Sequence, residues 1–293
     1  MAEEQTEGRK GKEYIVIAAL AVGIPLLILL SETGWLSAYF RDHPIGVWTF
    51  TKPLSFLGYA MAAFLSYKCF KASRIFFFQW IIVICVLEVL LHPIFSRTID
   101  YLQGFFPAFH SPMWTALAVL QTVEHALVTL AVPVMFVLAL YNFPHYVRWT
   151  DVLKPPLLIA IVFYGLLYGV ISGVSIHHEW NGSVFVAGVL QLIPALIYSL
   201  GVLWSYRRFK AEAVPLFAYL AAVFLVPVCS YVILLVMMTL VAVLSNPATP
   251  VWQLVNYVQV GMLTLQPVIL ACGIYAYWKA LQSRRETEVS SER

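Results

Sequence analysis

Glu88, His92, Glu124 and His125 interrupt two long apolar runs that are otherwise almost free of ionisable side chains. Placing such a group inside a bilayer costs roughly 2.5–3.5 kcal/mol on insertion scales, so it faces the interior of a helix bundle and often marks a working site. Glu88 and His92 are four residues apart, which puts them one turn apart on one helix face. Glu124 and His125 are neighbours in the next run, and Gln121 lies one turn before His125. A carboxyl group and an imidazole held together away from water can pass a proton between them, the requirement for general acid–base work on a lipid-soluble molecule. The expected roles follow. Glu88 and Glu124 handle protons, His92 and His125 tune or relay them, and Gln121, Gln259, Asn256 and His178 are candidates for orienting a substrate by hydrogen bonding. The alternative for the same residues is an interhelical network that pins two helices together.

Metal chemistry is less well specified. Histidine and carboxylate ligands suit zinc or iron, yet no HxxxH, HExxH or DDxxD pattern occurs. His92 and His125 are expected at different depths, against a haem clamped by that pair. The sequence names no cofactor. Cys69, Cys85, Cys229 and Cys272 have no CxxC spacing and read as packing residues. Asn181-Gly182-Ser183 matches a glycosylation acceptor.

Glu88-x-x-x-His92 together with Glu124 resembles the four-helix sterol-isomerase and emopamil-binding group, in which membrane His and Glu residues perform proton transfer. The resemblance covers the third and fourth apolar runs, and the order Glu-x-x-x-His reverses the family's His-x-x-x-Glu. It implies proton transfer on a sterol-like substrate within the membrane.

These residues need helices that cross a membrane to hold them. Of 293 residues, 61% are hydrophobic and 11% charged, with a mean hydropathy of +0.82; a soluble domain keeps about 25% charged. A spanning helix needs about 20 apolar residues, and eight segments qualify: 14–30, 45–66, 74–95, 113–141, 157–174, 184–205, 214–244 and 251–278. The fold expected is an all-α polytopic bundle of about eight transmembrane helices. Eight spans put fifteen of the eighteen Lys and Arg residues on one side, leaving only Arg41, Lys52 and Arg97 on the other. The positive-inside rule then sets both termini in the cytoplasm. On that topology Glu88 lies about 10 Å and Glu124 about 16 Å below the outer face, and six of the seven histidines fall in the outer half. The net charge of +3 reports this topology, and nothing resembles a nucleic-acid module.

An internal repeat organises the chain. Ser66-Tyr67-Lys68-Cys69-Phe70-Lys71-Ala72 closes the second run, and Ser205-Tyr206-Arg207-Arg208-Phe209-Lys210-Ala211 closes the sixth, 139 residues later. Pro112, Trp114 and Gln121 match Pro250, Trp252 and Gln259 at an offset of 138. A tandem duplication of four helices, with the halves parallel, accounts for both. The boundaries are a cytoplasmic tail, 1–13; a first repeat, 14–142; a cytoplasmic linker, 143–156; a second repeat, 157–279; and a tail, 280–293. The second repeat carries no charge inside a span, so ionisable chemistry belongs to the first.

The function expected is that of an integral membrane enzyme, or enzyme-like binding protein, acting on a lipid, sterol, isoprenoid or quinone. Its partners are then membrane lipid and a lipid-soluble small molecule. A proton-coupled transporter is the alternative. A non-catalytic subunit that anchors a membrane complex, or binds pigment, haem or quinone, is the third class.

Overall fold

The computed structural model describes residues 48–106, 111–143, 154–178, 181–244 and 249–291. The described residues form seven helices and no strand: α1 (Trp48–Ser73), α2 (Phe77–Gln103), α3 (Pro112–Tyr141), α4 (Pro155–His178), α5 (Asn181–Glu212), α6 (Pro215–Leu244) and α7 (Thr249–Ser291). They coincide with seven of the eight expected apolar segments; the eighth, 14–30, lies outside the described residues. Three helices start on proline, whose fixed φ is already helical and whose missing N–H is not needed in a first turn. Before α3, Ser111 is still extended, with φ −90° and ψ 124°. Pro133, Pro194, Pro227 and Pro267 lie inside helices that continue past them, and all four are buried.

Among the described residues, four stretches are long and apolar enough to cross a membrane: Phe77–Gln103, Pro112–Tyr141, Pro215–Ile233 and Gly261–Arg284. The apolar side chains left outside support a lipid solvent. On α4, Ile159, Phe163, Leu166 and Val170 are all exposed, a continuous apolar surface that water would disfavour.

The chain divides into two compact units. One holds α2, α3, α4 and α5 as far as Ile197. Its core is Ala126, Leu130 and Val134 of α3 against Ile161 and Tyr164 of α4. Gly165 and Gly169 let these helices approach closely. A Cβ on the first would strike Leu127, and one on the second Val123, the small-xxx-small contact by which membrane helices gain packing without a hydrophobic drive. Val123 is next to Glu124 in α3 and Leu127 lies one turn further on, so the contact braces the part of α3 that carries the candidate site.

The other unit holds α1, α5 from Tyr198, α6 and α7. Its centre is aromatic and aliphatic, with Phe209, Leu216, Phe217, Phe224, Leu265, Ile269 and Ile274 almost wholly buried. Gly58 of α1 lies against the backbone of Pro267, and Gly273 of α7 against Tyr219. Cys69 and Cys85 are buried, Cys229 and Cys272 half-buried, and all four are free thiols.

The helix ends carrying the matched heptapeptides share one geometry. Arg74 and Ala213, 139 residues apart, are the two non-glycine residues with positive φ among the described residues, at 59° and 52°. Each donates its N–H to the carbonyl four residues back, Arg74 to Phe70 at 2.8 Å and Ala213 to Phe209 at 2.9 Å, the left-handed cap that closes a helix. Four residues on, Phe78 and Phe217 are both fully buried. Eight residues before the caps, Ser66 and Ser205 are both fully buried, with hydroxyls that have no partner.

Candidate functional site

The middle of α2 does not follow regular α-geometry. An α-helical stretch, Phe77–Val86, passes into a π-helical turn, Leu87–Leu91, before α-geometry resumes at His92–Gln103. Pro93 supplies the physical reason. It has no N–H to bond the carbonyl four residues back, and its ring crowds that carbonyl. The backbone widens, and the His92 N–H donates to the Leu87 carbonyl, five residues back. Such single π-turns are rare and recur at functional positions. Glu88 sits within this one.

The widened turn and α3 bring the expected residues together. Nδ1 of His92 lies 2.9 Å from Oε1 and 3.1 Å from Oε2 of Glu124, so one ring nitrogen is shared between both carboxylate oxygens. The side chains are 28% and 16% exposed, withdrawn from solvent yet reachable. The His125 ring is 5.7 Å from that of His92, tilted by 39°. Glu88, one turn before His92, lies within electrostatic reach of both His92 and Glu124. Two carboxyl groups and two imidazoles thus occupy one patch between α2 and α3, and their short contact is one across which a proton can pass.

Gln121, one turn before His125 on α3, also reaches across to α2. Its Nε2 donates to Oγ of Ser96 at 3.1 Å and to Oδ1 of Asp100 at 3.0 Å, cross-linking α3 to the final turns of α2. Its amide nitrogen is engaged within the protein, which leaves the amide oxygen as the group that could face a substrate. Ser96 and Asp100 went unnoticed in the sequence, although the signal was present: they continue the four-residue spacing of Glu88 and His92. The side chains of Gln259, Asn256 and His178 lie outside the described residues. Among the described residues, no three His, Cys, Asp or Glu side chains converge as metal ligands.

Comparison with protein-family descriptions, curated proteins and solved structures gave no match in any of the three. The likeness to the sterol-isomerase and emopamil-binding group therefore stays with Glu88, His92 and Glu124 alone.

Proposed function

We propose that the protein is a multi-pass membrane enzyme, or enzyme-like binding protein, that moves protons on a lipid-soluble substrate at the Glu88–His92–Glu124–His125 patch. The observation carrying this reading is the His92–Glu124 contact, 2.9 Å and 3.1 Å to the two oxygens, beside a backbone irregularity that holds Glu88. A network serving only to join helices has no need of a second carboxyl group in a distorted turn. In the proposed chemistry, Glu124 takes a proton from the substrate while His92 holds the carboxylate in place. Glu88 or His125 returns a proton elsewhere on the molecule, leaving the protein's charge unchanged. The amide oxygen of Gln121 accepts a hydrogen bond from a polar group of the substrate. A substrate reaching the patch from the bilayer enters laterally between helices.

The rest of the architecture is part of the same proposal: eight spans, both termini cytoplasmic, and a parallel duplication of four helices. The paired caps at Arg74 and Ala213 favour the duplication, because sequence match, left-handed geometry and buried serine all recur at one offset. This observation also favours a second reading, a proton-coupled transporter whose related halves rock about an axis along the membrane normal. Uptake into proteoliposomes that responds to an imposed pH gradient would support transport over catalysis.

The enzyme reading is tested without knowing the substrate. Purified protein is incubated in D2O with lipids extracted from its host membrane, and the lipids are analysed by mass spectrometry. Proton transfer at a carbon replaces C–H by C–D in a specific lipid with wild-type protein, and Glu124→Gln abolishes the mass shift. A shift that persists in Glu124→Gln, or none with wild type, overturns the proposal.

A further inference from the structure

Polar groups near Glu88 extend along α2 in one direction only. His92 follows at the end of the π-turn, and Ser96 and Asp100 at four-residue intervals beyond it, each of these α-helical steps rising ~6 Å, a gap that one bridging water spans. Gln121 braces the far end by holding Ser96 and Asp100 together. Asp100 lies beyond the expected span 74–95 and is exposed, whereas Glu88, His92 and Ser96 within or beside it are part-buried. The other direction is closed: Phe77, Phe78, Trp80, Ile81, Ile84 and Cys85 are all nearly or wholly buried. Edge-on contacts of Phe77 with Phe78 and Phe143 pack that end further.

We infer that this stripe is a one-sided proton access path, running from solvent at Asp100 through Ser96 and His92 to Glu124 and Glu88, with the aromatic half of α2 as its seal. The inference rests on reading Glu88 and Glu124 as proton-handling groups. A proton taken up by the Asp100 carboxylate passes to water and the Ser96 hydroxyl, which accepts one proton and releases another. It then binds Nε2 of His92, while the proton on Nδ1 moves to Glu124; the imidazole ends neutral with its tautomer exchanged. Gln121 does not carry the proton and acts as a positioning residue. The other titratable groups around the path are Cys85 one turn before Glu88, His125 beside His92, Arg97 on the exposed end of α2, and Tyr164 and Tyr168 on α4, the helix packed against α3.

The test needs no substrate. In proteoliposomes with the protein inserted in one direction, infrared spectroscopy follows the carboxylic-acid C=O stretch after a pH jump on one side. The bands belonging to Glu88 and Glu124 are those lost in Glu88→Gln and Glu124→Gln. We expect them to respond to buffer on the Asp100 face. Ser96→Val should slow the response about tenfold, equivalent to ~1.4 kcal/mol of barrier, and Ser96→Thr, which keeps the hydroxyl, should restore it. Asp100→Asn, at an exposed position, should also slow it. A response to the opposite face, none to either face, or wild-type speed in Ser96→Val and Asp100→Asn overturns the path. Because no turnover is measured, a failed path with intact deuterium exchange is distinguishable from a failed assignment of function.

Discussion

The contact between His92 and Glu124 sets an imidazole nitrogen 2.9 Å and 3.1 Å from two carboxyl oxygens, distances over which a proton can be shared. Glu124→Gln keeps the shape of the side chain and can still bond His92, but it cannot take a proton. If Glu124 is the base, deuterium exchange should fall by about 10²–10⁴, the usual worth of a positioned acid or base. The thermal midpoint should move little. Gln121→Leu should act in the opposite sense, costing about 1 kcal/mol of stability through its lost hydrogen bonds, read as a lower unfolding midpoint in detergent. Its activity should fall less than that of Glu124→Gln. That Glu88, His92 and Glu124 lie close together was legible from spacing and from the rarity of charge in apolar runs. The partner of Gln121 was not, because i, i+4 spacing reports only neighbours on its own helix, whereas its bonds to Ser96 and Asp100 cross to another.

Pro93 and the glycines of α4 set the geometry at the scale of the helix. Pro93→Ala returns an N–H to α2 and lets regular α-geometry close across 87–92, which should stabilise the helix while turning Glu88 relative to His92. The expected outcome is a raised thermal midpoint with reduced deuterium exchange, and a rise in both would show that the π-turn is not needed. Gly169→Leu should force α3 from α4 and cost about 1–3 kcal/mol, measured by unfolding in detergent, because its side chain would meet Val123. At the left-handed cap, Ala213→Gly should stabilise by roughly 1 kcal/mol by relieving the strain on a Cβ, provided the hydrogen bond to Phe209 is kept. Helix positions were readable because a membrane span requires a long apolar run, which leaves little room for error. The π-turn was not, since Pro93 permits either a kink or a widened turn, and nothing in the spacing of the residues decides between them.

Across the whole molecule, the apolar surface left on α4 and four helices of spanning length describe a protein whose solvent is lipid. The proposed topology places the basic helix ends around Lys71 and Arg207 on the cytoplasmic side and Asp100 on the other. Single cysteines at Lys71, Arg207 and Asp100, in a background lacking the four native thiols, should react with an impermeant reagent from the outside of intact cells only at Asp100. Labelling of the two basic positions from outside would reverse the topology. The proposed sidedness rests on positive charge in the sequence, while the two compact units were not legible: one of them groups α1 with α6 and α7, partners distant in sequence that fit closely at glycines such as Gly58 and Gly273. Whether His92 and Glu124 act as one proton-handling unit is decided by a double-mutant comparison of deuterium exchange. Groups acting as a unit are strongly non-additive, so His92→Gln, Glu124→Gln and the double variant should lose exchange to about the same extent. Losses that multiply in the double variant, or exchange that survives either single change, would show that the two side chains do not act as one unit.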